Sequence, residues 1–450
     1  MKKIIPRSAF DLYYKAVEYA AAFFYGFPSR KMIVVGITGT KGKSTVVRLI
    51  GHILEQAGFK IGWTSSIDFK IGENIEANAI KMTMPGRFFM QKLLARMTKE
   101  GCQYALIETS SEGLVQYRHI GIDYDAAVLT NLSPEHIERH GGFENYKKAK
   151  LMLFDSISRS FKKSINGLEV KKTIIVNGAD EKYSDFIKFP ADQKFNFAIL
   201  KSEGKMKKSS GAQSIFAAEI NTTPFGSDFV LETPLGSVKI NSRLLGKFNI
   251  ENMLAAGAVA LSCGIDLEII KQAFASFEPI AGRMEKITTP KGFMVFIDYA
   301  HEPKSLESVY QYCRSLIAKE NKNKLICVLG AAGGGRDKWK RPVMGNLAAK
   351  YCDYVILTNE DPYDENPAAI LDEIEAGFSQ VQNPYEQILD REEAIQKSLS
   401  LAARGDIVIL TGKGSETCIM GPNNTKTPWN EKEVVEKMLR KLQNNAEIII

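Results

Sequence analysis

A glycine-rich stretch near the start of the chain has residue types suited to holding phosphate groups. It reads Gly36-Ile37-Thr38-Gly39-Thr40-Lys41-Gly42-Lys43-Ser44 and lies between a short apolar run and a segment with apolar residues at helical spacing. Glycines let backbone N–H groups approach phosphate oxygens, Lys43 supplies positive charge, and the Ser44 hydroxyl can ligate Mg²⁺. This context predicts an ATP-binding phosphate loop. Ile37 stands where the strict G-x-x-x-x-G-K-[ST] pattern has glycine, and the alternative is a glycine turn with an exposed lysine.

Two residues further along could hold a metal ion beside this loop. Glu108 follows an apolar run that is typical of a strand, and His136 lies in a later loop. A carboxylate oxygen and an imidazole nitrogen are both suitable Mg²⁺ ligands, and phosphoryl transfer requires charge neutralisation and alignment more than a covalent catalyst. Each residue alone is more often structural. With Ser44 and Lys43 they form a candidate catalytic and metal-binding set.

Further motifs follow the loop in a fixed order. They are Glu108-Thr109-Ser110-Ser111, Thr130-Asn131-Leu132-Ser133-Pro134-Glu135-His136, Tyr146-Lys147-Lys148-Ala149-Lys150, Gly246-Lys247-Phe248-Asn249-Ile250-Glu251-Asn252, Gly282-Arg283-Met284-Glu285, Asp298-Tyr299-Ala300-His301, Gly335-Arg336-Asp337, Lys340-Arg341-Pro342 and Gly412-Lys413-Gly414-Ser415-Glu416. Together with the loop, this ordered series resembles the Mur ligase family, and its muramyl tripeptide synthetase (MurE) branch most closely. The resemblance covers the chain from about residue 31 to residue 420.

The resemblance implies an ATP-dependent acid–amino acid ligase that forms an amide bond through an acyl phosphate. A carboxylate does not react with an amine at neutral pH until its oxygen becomes a good leaving group, and phosphorylation achieves this. The implied substrate is a UDP-N-acetylmuramoyl-dipeptide-like carboxylate that receives a diamino acid during peptidoglycan, and hence cell-wall, biosynthesis. Folylpolyglutamate or cyanophycin-type synthetases of the same superfamily remain an alternative, as does a catalytically silent ATP-binding regulatory module.

The resemblance also assigns roles to the nucleotide and metal residues. The residues expected to bind ATP are Thr38, Gly39, Thr40, Lys41, Gly42, Lys43, Ser44, Thr45, Asn249 and Asn252 (adenine edge), Arg283 (phosphate) and Asp298 (ribose). From composition alone, Lys150 belongs to a solvated cationic helix face together with Lys147 and Lys148. In the family the matching lysine is carbamylated, which makes it an anionic ligand, so two Mg²⁺ sites are expected.

Substrate contacts follow from the same motifs. The residues expected to bind the muramyl peptide are Thr83, Ser110, Ser111, Gln116 and Arg118, and those expected around the amino acid are Arg336, Glu360, Asp361, Gly412 and Glu416. Arg336 is the candidate clamp for the α-carboxylate, because a guanidinium offers a planar bidentate fork. The diaminopimelate-adding branch has D-N-P-R where this chain has Glu360-Asp361-Pro362-Tyr363, so the cationic clamp for a second carboxylate is missing. An acidic rim favours a distal ammonium, and L-lysine is expected ahead of meso-diaminopimelate.

Alternating strand and helix patterns must position these residues. Apolar runs predict strands at Met32 to Ile37, Tyr104 to Ile107, Ala126 to Leu129, Met294 to Ile297, Leu325 to Leu329, Tyr354 to Leu357 and Ile407 to Leu410. The fold class is therefore α/β, with a phosphate-loop ATPase domain built on a mostly parallel sheet and a second, Rossmann-like α/β domain. The expected division is an N-terminal helical segment (1–30), a central domain (31–280) with a small β insertion at about 156–242, and a C-terminal domain (281–450).

Composition indicates the class of protein and its cellular compartment. The 450 residues are 44% hydrophobic and 25% charged, and the six cysteines are scattered singly, which favours reduced thiols and the cytoplasm. The net charge of +7 is modest and requires no nucleic-acid partner. The aromatic-rich helix predicted from Asp11 to Tyr25 is expected to pack on the body of the protein. The uncharged run from Tyr19 to Ser29 is too short to span a bilayer, and contact of the helix with a membrane surface is the alternative. Few residues precede the phosphate loop, so we expect no N-terminal uridine-binding domain, and recognition of UDP is in question.

Overall fold

The computed structural model describes residues 7–80, 82–135, 137–200, 211–317, 322–335, 337–378 and 383–447. The chain forms two compact units, Met1–Phe277 and Glu278–Ile450. Two of the candidate site residues, His136 and Arg336, lie outside the described residues.

The first unit is built around one large sheet, with helices packed against it and a separate two-stranded hairpin. The strands are β1 (Ile33–Thr38), β2 (Ile61–Thr64), β3 (Asp68–Ile71), β4 (Asn74–Ala77), β5 (Tyr104–Glu108), β6 (Ala126–Leu129), β7 (Ser164–Ile165), β8 (Leu168–Glu169), β9 (Thr173–Asn177), β10 (Gln193–Ile199), β11 (Gln213–Thr223), β12 (Gly226–Thr233) and β13 (Gly236–Ser242). The helices are α1 (Arg7–Phe24), α2 (Lys43–Gln56), α3 (Arg87–Lys99), α4 (Ser111–Val115), α5 (Ile137–His140), α6 (Phe143–Arg159), α7 (Tyr183–Ile187), α8 (Lys247–Ser262) and α9 (Leu267–Ser276).

The large sheet confirms the predicted, mostly parallel arrangement. Its order is β13-β12-β11-β10-β9-β6-β1-β5-β2-β3-β4, and the seven strands from β11 to β2 run parallel, with antiparallel strands at both edges. Strand β1 lies between β5 and β6, so Ile37 is level with Glu108 on one side and with Val128 on the other. The carboxyl ends of these strands therefore meet at one edge, where ligands bind in α/β sheets.

The central strands are apolar because helices cover the sheet. Strand β1 is buried from Val34 onwards, and β5 and β6 are fully buried, as expected for parallel strands shielded on both faces. Helix α2 buries Val46, Ile50 and Ile53, which recur at helical spacing. Burial of these side chains holds the start of α2 at the end of β1.

The predicted β insertion at 156–242 is only partly correct. A two-stranded hairpin, β7 with β8, does stand apart from the large sheet. Strands β9 to β13 instead continue that sheet, because β9 pairs in parallel with β6. The five residues of β9 are all buried, so this strand extends the core of the unit.

The second unit has its own sheet, flanked by helices. Its strands are β14 (Glu285–Thr288), β15 (Met294–Ile297), β16 (Leu325–Leu329), β17 (Tyr354–Leu357), β18 (Tyr385–Gln387), β19 (Ile407–Leu410), β20 (Cys418–Met420) and β21 (Lys426–Pro428), and its helices are α10 (Pro303–Leu316), α11 (Lys340–Tyr351), α12 (Pro367–Glu375), α13 (Arg391–Leu401) and α14 (Glu431–Glu447). The sheet order is β14-β15-β19-β16-β17-β18, parallel except at β14. The predicted second α/β domain is thus confirmed.

The expectation that all cysteines are reduced is wrong for one pair. Cys327 in β16 and Cys352 at the end of α11 form a disulfide, with Cα atoms 6.1 Å apart. Both residues are fully buried, and the turn from α11 into β17 brings Cys352 beside the neighbouring strand β16. Cys102, Cys263, Cys313 and Cys418 take part in no disulfide within the described residues.

Helix α1 packs against the body of the first unit on one face only. Ala21 and Ala22 are fully buried, whereas Phe23 and Phe24 are about three quarters exposed (76% and 73%). Within the described ranges, no helix has the length and apolar character needed to cross a membrane.

Candidate active site

The phosphate loop is held in a conformation that only glycine adopts easily. Gly39 and Gly42 have φ angles of 149° and 80°, and Gly42 is the residue that precedes α2. The Lys43 ammonium group donates to the carbonyls of Gly39 (3.1 Å) and Thr40 (2.9 Å), so it lies across the loop. The loop therefore presents a cation and the first N–H groups of a 14-residue helix to the same space, which suits a polyphosphate.

Residues that follow β6 form hydrogen bonds and an ion pair with the phosphate loop. The Thr130 hydroxyl donates to the Lys41 carbonyl (2.6 Å), and the Lys41 amide donates to the Asn131 side-chain oxygen (2.9 Å). Glu135 forms an ion pair with the Lys41 ammonium at 2.7 Å. A Cβ on Gly39 would lie 1.9 Å from the Thr130 hydroxyl oxygen, so the contact requires glycine. Thr130 and Asn131 begin the T-N-L motif, and their support of the loop is a role that the motif alone did not predict.

The threonines of the loop are buried and tie it to helix α6. The Thr40 hydroxyl accepts from the Ser133 amide (2.9 Å) and lies 3.1 Å from the Tyr146 hydroxyl. Thr38 and Thr45 are also buried, at the end of β1 and in the first turn of α2.

Oxygen atoms suited to Mg²⁺ converge next to the loop. The Ser44 hydroxyl donates to Glu108 Oε2 (2.8 Å), and the same oxygen accepts from the Ser66 amide (2.9 Å). Glu108 is only 2% exposed, and no lysine or arginine of the described residues forms an ion pair with it. A buried carboxylate beside a hydroxyl and a phosphate loop is a donor set of the kind that Mg²⁺ prefers, so these residues fit the ion. Ser66 was missed by the sequence analysis.

Lys150 also contacts the loop and is almost completely buried. Its ammonium group donates to the Gly39 carbonyl (2.8 Å) and lies 4.5 Å from the centre of the Tyr146 ring. Burial, and secondarily the positive charge of Lys43, hold the pKa of Lys150 well below its usual value, against the opposing effect of Glu135. The expectation of a solvated cationic face therefore holds for the exposed Lys148 and is wrong for Lys150. Lys147 is partly buried and pairs with Glu144 and Asp185.

Helix α8 brings two asparagines to the loop. The Asn252 amide nitrogen donates to Asn249 Oδ1 (3.0 Å), and the Asn249 amide nitrogen donates to the Leu245 carbonyl (2.9 Å). A Cβ on Gly42 would lie 2.2 Å from Asn252 Oδ1. Asn252 is therefore in direct reach of the phosphate loop.

We expect Gly42→Ala to lower ATP affinity by about tenfold or more, ~1.4 kcal/mol, because the new Cβ must displace Asn252. Gly58→Ala is the matched control, since Gly58 has a similar φ of 85° and open space around its Cβ position. The two variants share the backbone strain, so a comparison of ATP dissociation constants isolates the collision with Asn252. Equal affinities in both variants would contradict this account of the loop.

A second cluster of candidate residues surrounds α4. The Ser110 hydroxyl accepts from the Gly113 amide at the start of α4 (3.1 Å), and the Ser111 hydroxyl lies 3.0 Å from His140 Nε2. Arg118 donates to the Gln116 side chain (2.6 Å) and to the Met84 carbonyl. Thr83 immediately precedes that carbonyl, so the structure brings all five predicted muramyl-peptide residues into one region.

Two cavities flank this cluster. One, of about 170 Å³, is lined by Glu112, Val115, Gln116, Arg139 and His140. The other, of about 350 Å³, lies beneath α1 and is lined by Val17, Gly86, Phe88 and Arg118. His140, which the sequence analysis did not select, has its pKa lowered mainly by burial and packs its ring against Tyr146.

In the second unit, Arg283 and Asp298 lie close to one another along adjoining segments. The Arg283 guanidinium stacks 4.2 Å from the centre of the Tyr299 ring. The Asp298 carboxylate accepts from the Met284 amide (2.7 Å) and from the Ala300 amide (2.8 Å). These backbone contacts fix the carboxylate and the loop that carries Arg283.

The predicted amino-acid residues gather at the carboxyl ends of β17 and β19. The Lys413 ammonium group bridges Asp361 (2.8 Å) and Glu416 (2.5 Å). Glu360 is 5% exposed, and a Cβ on Gly412 would come within 3.3 Å of its carboxylate. Burial raises the pKa of Glu360 to about 7, with Lys413 opposing the rise and Asp361 adding to it.

Two family models match the chain. Residues 37–260 match the Mur ligase middle domain, and residues 282–414 match the Mur ligase glutamate ligase domain. The two matches cover the phosphate loop in the first unit and the Glu360 region in the second.

Characterised relatives extend over almost the whole chain. The UDP-N-acetylmuramoyl-L-alanyl-D-glutamate–2,6-diaminopimelate ligase of Oceanobacillus iheyensis is 35% identical over 427 residues, which cover 95% of this chain and 82% of that protein. The UDP-N-acetylmuramyl-tripeptide synthetase of Roseiflexus is 36% identical over 428 residues, covering 94% of this chain and 81% of that protein.

Solved structures show the same fold. A UDP-N-acetylmuramoyl-L-alanyl-D-glutamate–2,6-diaminopimelate ligase superposes with a TM-score of 0.61 at 28% identity, over 92% of this chain and 79% of that one. The folylpolyglutamate synthase of Mycobacterium tuberculosis superposes with a TM-score of 0.67 at 17% identity, over 88% of this chain and 92% of that one. At this identity the likeness concerns the fold and not the function. With these matches added to the phosphate loop and its Ser44–Glu108 oxygen pair, the chain belongs to the Mur ligase family of ATP-dependent acid–amino acid ligases.

Proposed function

We propose that this ligase joins a diamino acid to the D-glutamyl carboxylate of a UDP-N-acetylmuramoyl-L-alanyl-D-glutamate-like substrate in peptidoglycan biosynthesis. The observation that carries the proposal is the position of the Ser44–Glu108 pair, which lies at the phosphate loop and one strand end away from the Ser110, Ser111 and Arg118 cluster. Nucleotide and carboxylate sites that adjoin in this way suit phosphorylation of a carboxylate by ATP. The names of the relatives point to the same donor.

In the proposed mechanism, the loop amides and Lys43 hold the transferring phosphate in line with the donor carboxylate. Ser44, Glu108 and His136 would hold Mg²⁺, which would neutralise charge on the phosphate oxygens when bound. Ser110, Ser111, Gln116, Arg118 and Thr83 hold the donor, and Arg118 has the charge to meet its carboxylates. Asn249 and Asn252 would contact the adenine base. Arg283 would bind a phosphate group, and Asp298 would accept hydrogen bonds from the ribose.

We further propose that Lys150 becomes a carbamate and provides an anionic ligand for a second Mg²⁺. Only a neutral amine adds to CO₂, and burial with Lys43 nearby favours the neutral form of Lys150. The proposal gives a use to a lysine whose side chain is enclosed without any carboxylate in an ion pair with it among the described residues.

For the acceptor, we propose L-lysine, or a similar diamino acid with one carboxylate, ahead of meso-diaminopimelate. Tyr363 stands where the diaminopimelate-adding pattern has arginine, and Lys413 is already shared by Asp361 and Glu416. Arg336 would hold the α-carboxylate, and the surrounding acidic groups would receive ammonium groups. The names of several relatives, which specify diaminopimelate, favour that amino acid instead.

We expect kcat/KM to be higher for L-lysine than for meso-diaminopimelate with the same muramyl donor, because the missing arginine removes a charge-assisted contact worth about 1.5–3 kcal/mol. The measurement is amide formation under identical conditions with each amino acid. A preference for meso-diaminopimelate of about tenfold or more, ~1.4 kcal/mol, would show that another cation serves its second carboxylate.

The proposed donor is tested by ATP-dependent phosphate release with muramyl, folyl and peptide acceptors in parallel. We expect release only with the muramyl dipeptide and an amino acid together. Release with a folyl substrate would indicate a different ligase of the superfamily, and release that depends on no substrate would indicate a regulatory switch. We propose a cytoplasmic location, because UDP-linked precursors and ATP are both there, with small-molecule substrates and no nucleic-acid partner.

A further inference from the structure

Glu360 is a buried carboxylate that forms no ion pair with any of the described residues. Its Oε2 atom is inaccessible to solvent, and within the described part of the chain no donor reaches it. The described cations that act on it each pair with other carboxylates: Lys413 with Asp361 and Glu416, Lys340 with Glu302, and Arg391 with Glu431. A buried charge that is left unpaired destabilises the folded protein, so a bound ligand with a positive charge would stabilise this carboxylate.

Two glycines make the room that this side chain occupies. A Cβ on Gly412 would lie 3.3 Å from Glu360 Oε2, and a Cβ on Gly330 would lie 3.1 Å from the Glu360 Cβ. Gly330, Glu360 and Gly412 follow three neighbouring parallel strands, β16, β17 and β19. The carboxylate therefore stands at the ligand-binding edge of this sheet, beside backbone that carries no side chain.

We propose that the Glu360 carboxylate binds the α-ammonium group of the incoming amino acid and takes one proton from it. The inference rests on the proposed ligase function and adds the proton acceptor that amide formation requires. An ammonium group has no lone pair, so the amine must lose a proton before it can attack a carbonyl carbon.

One N–H bond of the ammonium breaks and its proton moves to Glu360, which leaves a neutral amine. The amine lone pair forms the new C–N bond at the carbonyl carbon of the acyl phosphate. The bond between the carbonyl carbon and the bridging oxygen of the acyl phosphate then breaks, and its electron pair leaves with phosphate. The second proton on nitrogen passes to that phosphate. Glu360 returns its proton to solvent when the product leaves.

The electrostatic surroundings suit this role. Burial raises the pKa of Glu360 to about 7, close to the pH at which a general base is most effective. The charged and titratable groups that act on it are Lys413, Asp361, Glu416, Lys340, Arg391 and Tyr299. The anionic groups among them favour a cationic ligand, and binding of an ammonium group stabilises the ionised carboxylate.

Glu360→Gln tests the inference, because it keeps the shape and removes the base. We expect its kcat/KM for the amino acid at neutral pH to fall by about 100-fold or more, and the acidic limb of the wild-type pH profile near pH 7 to disappear. Hydroxylamine is the second acceptor. It is largely unprotonated at neutral pH, so hydroxamate formation with ATP and the muramyl donor should stay within about threefold of wild type.

Glu373→Gln is the matched control. It removes a carboxylate from the same unit, and Arg341, which pairs with Glu373, keeps Glu365 as a second partner. Ligation of the amino acid and hydroxamate formation should therefore both be unchanged. If Glu360→Gln ligates the amino acid at the wild-type rate with the same pH profile, or loses hydroxamate formation equally, the inference is wrong. A wild-type protein that makes no hydroxamate would contradict the ligase function, and the inference with it.

Thermal unfolding separates a folding defect from a catalytic one. The folded pKa of Glu360 lies above the unfolded value of 4.5, so its ionisation destabilises the fold progressively as pH rises from about 4.5 to about 7. Glu360→Gln removes that destabilisation. Its Tm should therefore match wild type near pH 4 and exceed it at pH 8. A lower Tm at pH 8 would show that the carboxylate stabilises the fold and would overturn the inference.

Discussion

Lys43→Ala is expected to lower ATP-dependent ligation by about a thousandfold or more, ~4 kcal/mol of transition-state free energy. The Lys43 ammonium group lies across the phosphate loop on the Gly39 and Thr40 carbonyls, where it can neutralise charge on the transferring phosphate. Its removal takes away a charge and no core volume, because the side chain is only partly buried. We therefore expect kcat/KM to collapse and the Tm to stay close to that of wild type.

Lys60→Ala is the control for Lys43→Ala. Lys60 belongs to the same unit, is 43% exposed at its side chain and forms only a long surface pair with Glu100 at 3.7 Å. The comparison is made by amide formation at saturating ATP and Mg²⁺. Turnover of Lys43→Ala within about tenfold of Lys60→Ala would remove Lys43 from the catalytic residues.

Lys150→Ala is expected to abolish ligation, and small carboxylates should restore part of it. If Lys150 is a carbamate in the active enzyme, its loss removes an anionic metal ligand, and acetate or formate can occupy the vacated position. A ¹³C NMR signal from labelled bicarbonate should appear in the wild-type protein and be missing in Lys150→Ala.

Lys147→Ala offers a control on the same helix. Lys147 pairs with Glu144 and Asp185, and these bonds raise its pKa, so it remains an ammonium that cannot add CO₂. We expect Lys147→Ala to keep the carbamate signal and to ligate within a few-fold of wild type. A wild-type protein that is fully active with no carbamate signal would refute the role proposed for Lys150.

The sequence predicted the buried strands and the phosphate loop well. Five strands, Ala126–Leu129, Met294–Ile297, Leu325–Leu329, Tyr354–Leu357 and Ile407–Leu410, have the bounds expected from their apolar runs. Parallel strands that are covered on both faces show this signal clearly. Because Glu108 ends β5 and the loop follows β1, pairing of these neighbouring strands was enough to bring Ser44 and Glu108 together.

Other features depend on contacts that local sequence does not encode. Ser66 reaches Glu108 only because β2 lies next to β5, and no spacing rule connects those residues. The disulfide joins two isolated cysteines 25 residues apart through the packing of α11 and β17. The insertion was misjudged because short strands alone do not indicate which sheet they join. The isolation of Glu360 became visible only when the partners of Lys413, Lys340 and Arg391 were known.

Transfer of oxygen from the donor carboxylate to phosphate tests the central claim most directly. The muramyl-dipeptide donor is prepared with ¹⁸O in its D-glutamyl carboxylate and incubated with ATP, Mg²⁺ and the amino acid, and the released phosphate is analysed by mass spectrometry. An acyl-phosphate ligase places one ¹⁸O atom in phosphate for each amide bond formed. Phosphate that carries no ¹⁸O, or that is released at the same rate without donor and amino acid, would contradict the account.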